Sequence, residues 1–232
     1  MAMNNRLLRP RASGSFVPSS LNGLEVWLDA SQTSTVTLNG STVSEWRDRR
    51  PGSSFKLGQP TAASQPTWVA SSKNGLGGLN FAVNLLLATY HSGVTLTLSQ
   101  PTTFFAVFQT PPDAAGWSFW DGVASRQHIY GNTNTEMYVF SGASGGPATI
   151  TAATWYAAVI IYNGTSSSYR LNTKTATTVN AGTSSLNGLV LGSGSGLRGD
   201  ANEFGIFSRA ISDSEAGSLL NYLSKKWAIT LS

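Results

Sequence analysis

Eleven acidic side chains are scattered through the 232 residues, and their spacing decides whether they can work in pairs. A retaining glycosidase needs two carboxyl groups about 5 Å apart, one to attack and one to protonate. No Glu-x-Asp-x-Glu or Glu-x-Asp-x-x-Glu run occurs. Glu25 and Asp29 share a face of a regular strand, but four residues at about 3.3 Å each set them about 13 Å apart. Asp200 and Glu203 flank an expected loop. Gly142-Ala143-Ser144-Gly145-Gly146 has the spacing of a nucleophile elbow, yet Pro147 and the strand-like Ala148-Thr149-Ile150 follow where a helix is required, so a turn is expected. Gly194-Ser195-Gly196-Leu197-Arg198-Gly199 matches a dinucleotide fingerprint in its glycines alone, because a strand and not a helix N-terminus comes next. The expectation is a chain that is not an enzyme and has no catalytic residues.

Binding chemistry has a better candidate. Gly116-Trp117-Ser118-Phe119-Trp120-Asp121 and Arg126-Gln127-His128-Ile129-Tyr130 interleave rings with hydrogen-bonding groups, a mixture that on one curved sheet suits the apolar faces and hydroxyls of a sugar. The glycan-binding candidates are therefore Trp117, Trp120, Asp121, His128 and Tyr130. Core packing accounts for the same aromatics equally well. Arg198-Gly199-Asp200 spells an integrin tripeptide, which three letters reach by chance. Cysteine is absent and histidine occurs twice, His91 and His128, so neither a disulfide framework nor a zinc cluster is expected.

These groups must be positioned by a β framework. Charged residues are 11% of the chain against 41% hydrophobic, so solubility rests on neutral polar groups, and threonines alternate with valine or leucine in Thr35-Val36-Thr37-Leu38 and Val94-Thr95-Leu96-Thr97-Leu98. Strands are expected at Leu24 to Leu28, at Val36 to Leu38 joined to Ser41 to Val43 through Asn39-Gly40, and at Leu79 to Phe81. Others are expected at Thr103 to Phe108, Glu136 to Phe140, Trp155 to Tyr162, Ser168 to Asn172, Gly188 to Leu191 and Glu203 to Phe207. Two of them, 103–108 and 155–162, are apolar on both faces and belong at the centre of a sheet. One helix closes the chain: Ser212-Asp213-Ser214-Glu215 is a capping box, and Ala216, Leu219, Leu220, Leu223 and Trp227 trace one face.

The block Trp155-Tyr156-Ala157-Ala158-Val159-Ile160-Ile161-Tyr162-Asn163-Gly164 with Tyr169-Arg170-Leu171-Asn172 resembles a hairpin of laminin-G-like domains. Gly188 to Gly192 followed by Gly199-Asp200-Ala201-Asn202-Glu203-Phe204-Gly205-Ile206-Phe207-Ser208-Arg209-Ala210-Ile211-Ser212 resembles their closing segment. The resemblance implies the concanavalin A-like lectin/glucanase superfamily: all-β, a two-sheet antiparallel jelly-roll sandwich, here with one C-terminal helix at 212–227 inside a domain spanning 21–232. It also implies a place for calcium, held by Asp200 with Asn202 or Asp121; no other metal or cofactor is expected. Gly23 to Ser31 and Val43 to Asp48 are similar to a version found in bacteriophage virion proteins, where a short Arg-Leu-Leu-Arg-Pro arm also precedes the domain.

Such an arm stands at residues 1–20. Arg6, Arg9 and Arg11 bracket Leu7 and Leu8, no helix or strand period is completed, and Pro10 removes an amide donor. The formal charge of +4 falls to +1 without those three arginines, leaving twelve basic against eleven acidic groups, so the basicity belongs to the arm and not to a nucleic-acid surface. Arg47-Asp48-Arg49-Arg50 reads as a solvated loop. No secretory signal and no run of about eighteen apolar residues is present, so neither secretion nor a membrane span is expected.

The expected function is a virion structural protein, a capsid decoration or head or tail accessory protein made in the host cytoplasm. Arg6, Leu7, Leu8, Arg9, Arg11 and Phe16 would anchor it to other virion proteins, in many copies or as a homo-oligomer. A glycan-binding module or adhesin for cell-surface glycans is the alternative, and a glycoside hydrolase is third.

Overall fold

The computed structural model describes residues 15–81, 96–113, 115–192 and 196–232. The strands of the first half are β1 (Leu24–Asp29), β2 (Val36–Asn39), β3 (Thr42–Arg47), β4 (Lys56–Gly58), β5 (Thr67–Lys73), β6 (Leu76–Asn80), β7 (Thr97–Leu98) and β8 (Thr102–Gln109). Next come β9 (Trp117–Ser118), β10 (Trp120–Asp121), β11 (His128–Gly131), β12 (Glu136–Phe140), β13 (Ser144–Thr149) and β14 (Trp155–Tyr162). The chain continues through β15 (Ser167–Leu171), β16 (Thr177–Val179), β17 (Leu186–Asn187), β18 (Val190–Leu191) and β19 (Asp200–Phe207) to the helix α1 (Asp213–Trp227).

The larger sheet is antiparallel in the order β16-β15-β14-β8-β19-β6-β5-β3-β2, with β1 also on β19 and β4 on β3. Its centre is where the two-faced apolar runs fall. Phe104, Ala106 and Phe108 of β8 and Tyr156, Ala158, Ile160 and Tyr162 of β14 enter one core; Phe105, Val107, Ala157, Val159 and Ile161 enter a second core on the opposite face. The first core is closed by a second layer, the sheet β13-β12-β11-β9 and the short pairs β10-β18 and β17-β7, through Trp117, Phe119, Trp120, Ile129, Met137, Val139 and Leu191. The second core is closed by α1, whose Ala216, Leu219, Leu220, Leu223 and Trp227 are buried. Alternation of side chains across a strand thus builds two apolar layers around one sheet, an all-β sandwich with a helix on its back.

The helix begins as its sequence predicts. Ser212 Oγ accepts from the Glu215 amide at 3.3 Å, and the Glu215 carboxylate accepts from the Ser212 amide at 2.8 Å. Arg209 grips the same carboxylate at 2.6 and 2.8 Å. Ala228 ends the helix in the left-handed region, at φ 49°.

Several expectations are corrected. The β2–β3 turn pairs Asn39 with Thr42, so its two central residues are Gly40 and Ser41, with Gly40 at φ 64°. The glycine patch at 141–146 is only partly a turn, because Ser144 opens β13 and Gly145 pairs with Val139; a Cβ on Gly145 would sit 2.8 Å from Val179. Asp200 opens β19 and Glu203 lies within it, so the two do not flank a loop. Asp48 is buried, accepting from the Trp27 amide at 3.2 Å, Arg50 Nε at 2.8 Å and Ser53 Oγ at 2.8 Å, so 47–50 is a structural knot and not a solvated loop.

The arm candidates Arg6, Leu7, Leu8, Arg9 and Arg11 lie outside the described residues, as do His91 and the 94–95 part of the expected alternation. Phe16 is described, and it packs on its own chain. Its ring meets Tyr222 of α1 edge-on at 6.3 Å, and with Val17, Leu21 and Leu24 it joins the second core. Pro18 is buried, so the fold takes in residues assigned to the arm.

Candidate functional site

The sequence-predicted glycan residues divide into two groups. Trp117 and Trp120 are 1% and 0% exposed, and their indole N–H groups serve the interior: Trp117 donates to the Thr133 carbonyl at 3.0 Å and Trp120 to the Tyr162 hydroxyl at 3.2 Å. Trp120 also stacks on Phe104 at 5.3 Å. Neither ring has a face left for a sugar, and both are corrected to core residues. The sequence could not separate them from site residues because the indole N–H finds an internal acceptor, which makes a buried tryptophan look like an interfacial one.

Asp121, His128 and Tyr130 are brought together on the far side of the second layer. His128 stacks on Tyr130 at 4.9 Å, and Tyr130 on Tyr138 at 5.2 Å, a ladder running from β11 onto β12. Tyr130 and Tyr138 are partners in the strand register, which explains the stacking. Arg126 chelates Asp121 at 2.9 and 2.5 Å and lies over Phe140 at 5.4 Å. Tyr138 donates to Glu136 at 2.9 Å, which raises its pKa, and Tyr130 shares a 3.0 Å hydrogen bond with Ser144. Because the rings stack on one another, Tyr130 offers its edge and hydroxyl, not a free face. Tyr138, Glu136 and Phe140 were not predicted, and Arg126 stood in the predicted stretch without being singled out; the alternation Glu136-Met137-Tyr138-Val139-Phe140 placed the first three on one face, and the outward side of that face was the missing signal.

His128 links this face to a nucleophile-like arrangement. Its Nε2 is 2.7 Å from Ser118 Oγ, and its Nδ1 is 2.9 Å from Arg126 Nη2 and 3.9 Å from Asp121 Oδ2. A guanidinium can only donate, so Nδ1 is the acceptor and the neutral ring carries its proton on Nε2. Burial pushes the ring pKa down to about 4, with Asp121 opposing and Arg126 assisting, so the ring is neutral at pH 7. A ring that donates to Ser118 cannot take its proton, and Ser118 is not activated in this arrangement.

The most concentrated charge cluster lies between β1, β19 and α1, and sequence spacing missed it. Asp29 and Glu203 are register partners across β1 and β19, and both are 0% exposed. Lys226 Nζ reaches Asp29 Oδ2 at 2.7 Å and Glu203 Oε2 at 2.8 Å. Glu203 also accepts from Trp27 Nε1 at 2.8 Å, Trp227 Nε1 at 2.6 Å and the Tyr222 hydroxyl at 3.0 Å. Asp29 accepts from Arg49, from the Ser31 amide at 3.1 Å and from Ser31 Oγ at 2.7 Å. Burial first, then the neighbouring Asp29 charge, raises the Glu203 pKa. Two carboxylates facing two cations balance, which is the condition for keeping them out of water. Glu25 and Asp29 were weighed as a pair along one strand; the real partner of Asp29 lies across the sheet, 174 positions later in the chain.

The calcium expectation does not fit these residues. Asp200 accepts from Ser72 at 2.7 Å and from Asn80 at 2.5 Å, and Asn202 Oδ1 from Ser72 at 3.0 Å. Asn202 Nδ2, buried beside them without a partner, is a donor that repels a cation. Among the described residues no three His, Asp or Glu side chains gather around one point. The tripeptide 198–200 is not displayed, since Arg198 pairs with Asp113 and Asp200 is 8% exposed.

No family model matches the chain, and no curated protein matches it. Solved structures do share its fold. A GH54 α-L-arabinofuranosidase aligns over 88% of this chain with a TM-score of 0.60 at 14% identity. The binding domain of Paraclostridial Mosquitocidal Protein 1 aligns over 86% with a TM-score of 0.58 at 12% identity, and Trypanosoma rangeli sialidase over 91% with 0.51 at 12%. The chain spans 60%, 52% and 35% of those chains respectively, and the likeness shows the fold, an all-β sandwich. It overturns the expectation that the chain is not an enzyme: chains of a sialidase and an arabinofuranosidase contain this fold.

Proposed function

We propose that the chain is a structural protein of a bacteriophage virion, laminin-G-like in its sandwich, that residues 1–14 anchor to neighbouring virion proteins in many copies. The observation that supports this reading most is the fixed root of the anchor. Phe16 sits edge-on to Tyr222 with Val17 and Leu21 on the same core, so the segment bearing Arg6, Leu7, Leu8, Arg9 and Arg11 starts from a defined point on the helical side. A fixed root reduces the entropy lost when a short segment docks. The leucines supply apolar area, and the arginines select an acidic surface. Deleting residues 1–14, which leaves Phe16 and the sandwich intact, should abolish association with the particle while the truncated body keeps its melting temperature. Undiminished association would reject the anchor.

A second reading, glycan binding, rests on the outward face made by Arg126, Tyr130, Glu136 and Tyr138. It draws support from the fold shared with a toxin's binding domain and with a sialidase solved in complex with sialic acid. Glycan-array binding by the truncated body, lost in Tyr138→Ala, would favour it over the anchor.

A further inference from the structure

We propose that Lys226 and Asp29 are joined by a side-chain amide that forms within the folded chain, with Glu203 relaying the protons. The proposal is independent of where the chain is assembled. Four features of the cluster carry it. First, the Lys226 nitrogen lies 2.7 Å from one oxygen of Asp29 in an ion pair, which puts it about 3–3.5 Å from the carboxyl carbon, the range of a near-attack arrangement. Second, the site is dry: the Asp29 and Glu203 side chains are fully buried, the Lys226 side chain is 16% exposed, and Trp27, Tyr222 and Trp227 wall it in. Such a setting keeps hydrolytic water away from the reacting groups. Third, Glu203 touches the same nitrogen at 2.8 Å and, by burial, holds a proton more readily than an exposed glutamate. Fourth, Asp29 Oδ1 is met by the Ser31 amide and hydroxyl, two donors aimed at the oxygen that becomes negative as the carbon turns tetrahedral.

The step balances without any co-reactant. One ammonium proton passes from Lys226 to Glu203 and on to Asp29 Oδ2, leaving a free amine and a carboxylic acid. The amine lone pair forms the N–C bond at the Asp29 carboxyl carbon. A second proton leaves nitrogen by the same relay, the C–Oδ2 bond breaks, and that oxygen departs as water. Glu203 ends as it began, and Arg49, which pairs with Oδ2, steadies the departing oxygen. The product ties the first strand to the last turn of the helix.

Tryptic digestion of the purified full chain reads the bond directly. An amide on Lys226 blocks cleavage there, so peptide 226–232 should appear joined to peptide 12–47 at the summed mass less one water, and free 227–232 should be lost. Glu203→Gln, close in shape, should restore free 227–232, and Lys226→Arg should remove the joined species. Stoichiometric release of 227–232 from the native chain would overturn the proposal, as would undiminished joining in Glu203→Gln.

Discussion

Asp29 and Glu203 stand opposite each other on β1 and β19 with no solvent exposure, and Lys226 from the last turn of α1 lies within 2.8 Å of both. The contact joins three parts of the chain that no local pattern connects: the first strand, the last strand and the helix. Removing the lysine leaves two buried carboxylates and one arginine. Leaving buried carboxylates unbalanced in this way costs about 3–5 kcal/mol, whether the lysine was held by its charge or by the proposed amide. Lys226→Met should therefore lower the melting temperature by roughly 10 °C for a domain of this size, measured by calorimetry.

Acid should act in two steps. The His128 pKa is about 4 in the folded chain against 6.5 ordinarily, so between those values the unfolded chain binds more protons, and stability present above pH 6.5 is lost as pH falls toward 4. Glu215, held at about 2 by Arg209 and the Ser212 amide, contributes stability above pH 4.5 that is lost as pH falls toward 2. Glu203 runs the other way, since its raised pKa means that the folded chain takes up its proton first. Urea melts across pH should show His128→Gln flattening the upper step and Glu215→Gln the lower. The His128 ring should titrate near 4 in NMR spectra and carry its proton on Nε2.

Gly205 allows β1, β8 and β19 to pack closely. A Cβ there would meet the Phe105 ring at 2.2 Å and the Val26 carbonyl oxygen at 2.8 Å. Gly205→Ala should cost about 1–3 kcal/mol, with an unchanged circular dichroism spectrum before the earlier melt.

The two kinds of aromatic should separate cleanly on substitution. Trp120→Ala removes a fully buried ring stacked on Phe104 and should cost about 3–5 kcal/mol. Tyr138→Ala, on the outward face, should leave the melting temperature within about 2 °C, because surface changes stay near ±0.5 kcal/mol. Differential scanning fluorimetry of the two variants checks both.

What was legible in the sequence is what local periodicity encodes. The run Trp155 to Tyr162 announced a central strand because both its faces are apolar, and Ser212-x-x-Glu215 announced the helix start. Thr67–Lys73 was missed because Thr67, Ser71, Ser72 and Lys73 interrupt any alternation, and of its side chains Trp68 is the one that packs on a hydrophobic core. His128–Gly131 was taken for site residues and not a strand, since a buried histidine is indistinguishable from an exposed one until its register with Phe140 is known. The Asp29–Glu203 pairing was invisible for a deeper reason: which strands become neighbours is fixed by topology, not by spacing along the chain.

The anchor is tested most directly by imaging a native particle at side-chain resolution. Continuous density should run from Phe16 back through Arg11, Arg9, Leu8, Leu7 and Arg6, with both leucines covered by an adjoining subunit and the arginines beside its acidic groups. Density that folds Leu7 and Leu8 onto their own sandwich, or particles that lack the chain altogether, would contradict it.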